Sequence, residues 1–288
     1  MNEAATHDVR DRAIGDIIRD LRNLSADNVQ NILEYQRNHG VRFGDAAVAL
    51  GHATAEDVMV ALSQQFHYPY APSASKDLSD ELVTLKAPFT PAAEAFRAIR
   101  TRLLMRSQDA GTEPVRRALA VVSPDVADGK SYFAANLAVS LAQLGRQVLL
   151  VDADMRSPRQ HELFKLENQA GLSTLLSGRS ERQVIKRVSS LHELCVLPVG
   201  GTPPNPLELV ERPAFSLLMR ELVLKFDHVV VDTPASVLGA DAVAIAARCG
   251  SALVVARRDA SRLQSLGELT SALSVGATQL AGVVYNEY

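Results

Sequence analysis

Three apolar runs beyond residue 117 each end in an acidic turn, and the order of those turns constrains the fold more than any other feature. Ala118 to Ser123 (ALAVVS) is followed by Asp125 to Ser131 (DVADGKS), Val148 to Val151 by Asp152 to Pro158 (DADMRSP), and His228 to Val231 by Asp232-Thr233-Pro234. Short continuous apolar runs bounded by turn residues read as buried strands of a parallel sheet. Gly129-Lys130-Ser131 opens the helix after the first strand, and backbone N–H groups at such a junction hold phosphate oxygens. Asp152, Asp154 and Asp232 fall at or just past the ends of further strands, on the sheet edge where open α/β sheets bind ligands. A lone GKS tripeptide is common, and DxD after a strand is more often a turn than a metal site. Their succession as strand, loop, helix, strand, DxD, strand, Asp selects a site for a nucleoside triphosphate with its Mg²⁺. In that site Lys130 neutralises the outer phosphates and Ser131 ligates Mg²⁺. Three carboxylates beside one lysine suit a hard cation and a polarised nucleophile.

From Arg117 onward strands alternate with helices, at Ala118–Ser123, Gln147–Asp152, Leu194–Pro198, His228–Asp232, Ser251–Ala256 and Leu280–Val284. Such alternation predicts an α/β domain, a P-loop doubly wound, mainly parallel sheet flanked by helices. Ahead of it a helix is expected from about Ala92 to Ser107, with Phe96, Ile99 and Leu103 on an apolar face and Glu94, Arg97 and Arg100 sharing another third of its circumference. Between His67 and Pro91 the periodicity lapses, and Pro69, Pro72, Pro88 and Pro91 break any long helix. The expected organisation is therefore a small all-α domain at residues 1–70, a linker at 71–91 and the P-loop domain at 92–288.

The first seventy residues repeat at an offset of 29 without a gap. Ile14-Gly15-Asp16 matches Phe43-Gly44-Asp45, Leu21 matches Leu50, Ser25 matches Thr54, Val29 matches Val58 and Leu33 matches Leu62. Each unit reads as a short helix, a turn and a second helix. Ser25 and Thr54 are placed as N-caps, with Asp27-Asn28 and Glu56-Asp57 in the first turns that follow.

A net charge of −3 gives no basic face on which counterion release could drive nucleic-acid binding. Cys195 and Cys249 stand apart in apolar surroundings without metal-ligand spacing, which suits buried thiols in a reducing cytoplasm. No segment reaches the eighteen or so apolar residues that span a bilayer. Membrane association is expected only through a partner, leaving a cytoplasmic protein peripheral to the inner membrane.

From about Phe89 to the C-terminus the chain resembles the cytoplasmic module of bacterial tyrosine kinases, P-loop proteins that govern capsule and exopolysaccharide chain length. Gly129 to Phe164 is similar to that family's Walker A and A′ segments, Gly200 to Val210 (GGTPPNPLELV) to its proline-rich loop, and Phe226 to Pro234 (FDHVVVDTP) to its Walker B. Glu94, Arg97 and Arg100 match the E-x-x-R-x-x-R helix through which members assemble into homo-oligomeric rings. The resemblance implies Mg-ATP-dependent phosphorylation of tyrosine and a membrane polysaccharide co-polymerase as partner. By position, Lys130, Asp152, Asp154 and Asp232 are catalytic, and Ser131, Asp152 and Asp232 serve the metal. Asp128, Gly129, Tyr132, Arg156 and Asn286 join Lys130 and Ser131 around the nucleotide. Arg156 could pair with either a phosphate or a carboxylate. The sequence departs from the family at Ala127, where glycine is usual and a positive φ would cost about 1 kcal/mol. Asp125 and Asp128 add negative charge to the loop, and Tyr132 stands where threonine is usual. The family's C-terminal tyrosine cluster is reduced to Tyr285, expected within the last strand, and Tyr288, the one terminal acceptor.

The N-terminal repeat resembles the N-terminal domain of type II secretion and pilus ATPases, some relatives of which bind cyclic di-GMP. Arg42-Phe43-Gly44, Gly51, Val58, Leu62 and Gln65 follow that pattern, whereas the first copy has Arg22 in place of the glycine, which favours a docking domain over a nucleotide sensor. Two other functions compete with the kinase: a catalytically weak, nucleotide-binding scaffold of polysaccharide assembly, and a positioning ATPase of the ParA/MinD type. The latter group carries a lysine where Asp125 stands.

Overall fold

The computed structural model describes residues 13–66, 78–108, 117–179, 183–276 and 278–287. The chain divides into two compact units, Met1–Pro72 and Ser73–Tyr288. In the first, α1 (Ile14–Arg22), α2 (Ala26–His39), α3 (Phe43–Ala49) and α4 (Ala55–Gln65) form two helical pairs, as the 29-residue repeat predicts. The caps fall where the sequence places them. Asn28 donates its N–H to Ser25 Oγ (3.2 Å), and Thr54 and Asp57 exchange backbone-to-side-chain bonds in a capping box. Ile17, Ile18, Ile32, Ala46, Ala47 and Ala61 are buried together. The copies differ where the second has Gly51 and the first Arg22. The Arg22 guanidinium reaches the Asp57 carboxylate at 2.6 Å, tying the first copy to the cap of α4.

The second unit runs α5 (Val83–Lys86), α6 (Pro91–Gln108), β1 (Ala118–Val122), α7 (Lys130–Ala142), β2 (Val148–Asp152), α8 (Gln160–Leu163), α9 (Leu172–Leu176), β3 (Lys186–Val188), β4 (Leu191–Leu197), α10 (Pro206–Glu211), α11 (Pro213–Lys225), β5 (His228–Asp232), α12 (Asp241–Cys249), β6 (Gly250–Arg257), α13 (Leu263–Val275) and β7 (Gln279–Asn286). The strands make one sheet in the order β3-β4-β2-β5-β1-β6-β7. Every pairing is parallel except β3 with β4. That antiparallel edge strand escapes the sequence pattern because Lys186-Arg187-Val188 is three residues long and mostly charged. The core is built from the inward residues of the central strands, Leu149, Val151, Val229, Val231, Ala252 and Val254 among them, with Phe215 and Met219 of α11 and Ile245 of α12.

Residues 78–91 depart from the expected linker. Leu78, Leu82 and Leu85 are buried, and a polar network fastens α5 to α7. Asn136, fully buried in α7, accepts from the Thr84 N–H and hydroxyl (both 3.0 Å) and donates to the carbonyls of Glu81 (2.8 Å) and Tyr132 (3.0 Å). Gln143 adds a bond to the Thr84 carbonyl at 2.8 Å. The prolines that interrupt helical periodicity thus flank a strap whose anchors are non-local. Asn136→Ala strands a buried Thr84 N–H and the Glu81 carbonyl. It is expected to cost about 2–4 kcal/mol, read by equilibrium urea denaturation.

Candidate functional site

The parallel strands β2, β5 and β1 lie side by side, and their registers bring the motif residues to one edge. Asp152 pairs with Asp232 across β2 and β5, and Val121 of β1 lies opposite Asp232. The loop from Ser123 to Gly129 leaves β1 at the same edge and delivers Lys130 as the first residue of α7. Two residues give that loop its left-handed turns, Ala127 at φ +64° and Gly129 at φ +96°. A Cβ at Gly129 would fall 2.2 Å from the Asn286 side-chain nitrogen, so a substitution there would have to displace that side chain as well as strain the backbone at its positive φ. Ala127 does adopt the positive φ in which its Cβ is strained. Ala127→Gly should therefore stabilise the nucleotide-free protein by up to about 1 kcal/mol and tighten nucleotide binding a few-fold, measured by thermal melts and by titration with a fluorescent ADP.

The loop is braced from behind. Asp128 is buried, and its carboxylate accepts from the Asp125 N–H (3.0 Å) and the Ser261 hydroxyl (3.0 Å). Asn286, the last residue of β7, donates to the Asp128 carbonyl at 2.9 Å, and Arg257 donates to the Ala127 carbonyl at 3.3 Å. Asp128 thus adds its charge to the loop with its carboxylate oxygens turned inward, where they hold the loop's shape.

At the centre, Asp152 and Asp232 are fully buried, and Lys130 and Asp154 nearly so. Asp152 accepts from the backbone N–H of Asp154 (3.2 Å), Arg159 (3.1 Å) and Gln160 (2.9 Å), and Asp154 from those of Arg156 (3.1 Å) and Ser157 (2.9 Å). Desolvation, and then the neighbouring Asp232 charge, hold the Asp152 carboxyl well above the usual carboxylate range. Desolvation also raises Asp232, to about 6, against the downward pull of Gln160, the Ser131 hydroxyl and the Lys130 ammonium. Lys130, Ser131, Asp152, Asp154 and Asp232 therefore share one electrostatic neighbourhood.

Other expected participants are placed differently. Arg156 takes the carboxylate alternative, binding Asp241 Oδ2 through Nη2 (2.9 Å) and Nε (3.2 Å). The Tyr132 ring packs edge-on against Phe96 with centroids 5.8 Å apart, so its side chain joins α6 to α7. Arg97 pairs with Glu94 (2.6 Å) and donates to the Pro88 carbonyl, while Arg100 donates to the Ser140 carbonyl at 2.7 Å. Both arginines thus anchor α6 to its own unit. Tyr288 lies outside the described residues, and Tyr285 is on β7 with more than half its surface exposed.

A buried site with this donor set suits Mg²⁺ held jointly with phosphate. Among the described residues, no three carboxylate, imidazole or thiolate side chains gather closely enough to bind a metal unaided. Mg²⁺ typically takes only one or two carboxylates and completes its shell with phosphates and water. Asp232 Oδ1 is buried without a hydrogen-bond partner, an uncompensated acceptor in a dry site that also contains the Ser131 hydroxyl. The residues present fit the group. Beside the loop, a groove of about 270 Å³ is lined by Pro124, Asp125, Val237, Val243, Glu268 and Leu269, with Val126 and Val237 exposed nearby. No helix among the described residues is long and apolar enough to cross a membrane.

Fold and site together define a P-loop nucleotide-binding protein, and the family model described as the CobQ/CobB/MinD/ParA nucleotide binding domain matches residues 119–288. Among similar proteins, the tyrosine-protein kinase YwqD of Bacillus subtilis (strain 168) is 32% identical over 205 residues, which cover 71% of this chain and 85% of that one. The putative tyrosine-protein kinase EpsB of Ralstonia solanacearum is 37% identical over 220 residues, 73% of this chain but only 29% of EpsB. The kinase domain of the Escherichia coli tyrosine kinase ETK superposes with a TM-score of 0.67 at 29% identity, over 71% of this chain and 79% of that one. The chain belongs to the bacterial tyrosine-protein kinase family of P-loop proteins.

Proposed function

We propose that this protein is a Mg-ATP-dependent protein-tyrosine kinase that regulates the chain length and export of an exopolysaccharide or capsule. The observation that carries the reading is the convergence of Lys130, Ser131, Asp152, Asp154 and Asp232 at one buried sheet edge, in a chain whose relatives bear tyrosine-kinase names. Phosphoryl transfer is mostly positioning and charge neutralisation. Lys130 holds the outer phosphates. Asp232 and Ser131 hold Mg²⁺, which when bound neutralises charge on the transferring phosphoryl group. Asp152, whose oxygens already accept three backbone N–H groups, shapes the second turn, and Asp154 beside it orients the attacking tyrosine hydroxyl. Gly129 and the braced loop supply backbone donors, with Asn286 behind them.

The proposed partner is the cytosolic segment of a membrane polysaccharide co-polymerase, which would bring the protein to the inner membrane. The groove beside the nucleotide loop, lined by both apolar and polar residues with Asp125, Ser265 and Glu268 at its wall, supports docking of such a segment. The N-terminal unit is proposed as a docking module, with cyclic di-GMP as the second ligand reading. Ring assembly through α6 would use Glu94, whose side chain is 70% exposed, while Arg97 and Arg100 set the helix in place. The strained φ of Ala127 favours, as a second reading, a catalytically weak scaffold that binds nucleotide without turnover. The positioning-ATPase reading has less support, because Asp125 stands at that group's lysine position. Purified protein incubated with γ-labelled ATP, with and without a co-polymerase tail, is expected to acquire phosphotyrosine. Nucleotide binding without label in either condition would leave the scaffold.

A further inference from the structure

We propose that Gln160 is the positioning residue that fixes the metal-side face of this site, an inference that rests on the Mg-nucleotide reading above. Gln160 is fully buried at the start of α8 and touches all three motif turns. Its side-chain Nε2 donates to Asp232 Oδ2 at 2.8 Å and to the Ser131 carbonyl at 3.0 Å, and its backbone N–H donates to Asp152 Oδ2 at 2.9 Å. No other residue in the described network joins the Walker A helix, the Asp152 turn and the end of β5 at once, Gln160 doing so with its side chain on two of them and its backbone N–H on the third.

The arrangement is directional. By occupying Asp232 Oδ2, the amide fixes the rotation of that carboxylate and leaves Oδ1 as the oxygen without a partner. Gln160 Oε1 is likewise buried and unpartnered, so two bare acceptors stand in one dry region. Native proteins rarely leave such atoms unsatisfied, and a pair of them beside a nucleotide loop marks a place for donors, which the water shell of a Mg²⁺ ion supplies. Gln160 thus holds one oxygen of Asp232 and offers its own. An amide suits this task because it adds no charge to a region already holding three carboxylates, and it carries donor and acceptor on one rigid plane.

The test compares fluorescent ADP binding to the full chain in Mg²⁺ and in EDTA, together with the melting temperature of the nucleotide-free protein. Gln160→Met keeps the side-chain length but neither donates nor strongly accepts. It is expected to lower affinity about tenfold in Mg²⁺ while leaving affinity in EDTA within twofold of the native chain. Gln160→His retains one N–H at the same number of bonds from Cα and loses the amide oxygen. It is expected to lose about threefold in Mg²⁺ only, and it decides the question if Gln160→Met does not fold. Equal loss in Mg²⁺ and EDTA, or no loss in either, would overturn the inference by making Gln160 a packing residue. If the native chain itself binds no ADP in either condition, the nucleotide reading fails first, a distinct result.

Discussion

At pH 7.5, Asp232→Asn should raise the melting temperature of the nucleotide-free protein and, in the same experiment, abolish the further rise that Mg²⁺ and nucleotide give the native chain. Asp232 is fully buried and titrates near 6 in the folded state, against 3.8 for an unperturbed aspartate. Burial makes its ionised form expensive, and without metal Lys130, the Gln160 amide and the nearby Ser131 hydroxyl compensate only in part. Between those two values Asp232 holds a proton in the folded protein that the unfolded chain releases, so its contribution to native stability falls as pH rises from about 4 to about 6 and is level above. Asparagine has no proton to lose. Its advantage is therefore absent below about pH 4 and complete above about pH 6, at most about 3 kcal/mol. For a unit of this size that is a rise of at most about 6–12 °C. Ligand at a hundredfold excess over its Kd adds about 2.7 kcal/mol to the native protein, and the variant should gain little of it in Mg²⁺. Parallel melts of both proteins from pH 4 to 8, with and without Mg-ADP, give both curves. An Asn variant that is less stable than the native chain at pH 7.5 would mean that Asp232 is already compensated and needs no cation.

The parts of this site that could be read in the sequence are those that a turn or a strand imposes locally. The run His228 to Asp232 is a strand with those bounds because three consecutive valines end at an acid, with a proline two residues on. Asp152 and Asp232 share a register because parallel neighbours stop at the same sheet edge. Gln160 carries no such mark. Its side chain meets Ser131 and Asp232 across separations of 29 and 72 residues, and only the fold of the Asp152 turn brings it there. Asp128 read as repulsive charge because the sequence shows its position in the loop but not that Ser261, 133 residues on, turns its carboxylate inward. The strap at 78–87 is hidden by the prolines that flank it, since Thr84 and Asn136 find each other across 52 residues. Arg156 remained undecided between anion and carboxylate until α12 supplied Asp241. Local pattern reached the carboxylates and the lysine, while their orientation is a property of long-range contacts.

Lys130→Met should reduce phosphotyrosine formation to background, a loss of about three orders of magnitude or roughly 4 kcal/mol of transition-state stabilisation. Its effect on the empty protein should be opposite in sign to that of Asp232→Asn. Lys130 is nearly buried, and its charge is one of the terms that keep Asp232 from titrating still higher. Removing it leaves buried carboxylates with less opposing charge, so the variant should lose about 1–3 kcal/mol above pH 6 and recover as the pH falls and Asp232 takes its proton. The two residues lie in one network, so their effects should not add. In the double variant, asparagine removes the charge that Lys130 balanced, and stability should return close to that of Asp232→Asn alone while labelling stays at background. A phosphorylation assay beside urea melts of the four proteins separates the two roles of the lysine, one toward phosphate and one toward its own carboxylates. Additive stabilities would place Lys130 and Asp232 too far apart to serve one nucleotide, and retained labelling in Lys130→Met would move phosphoryl transfer away from this loop altogether.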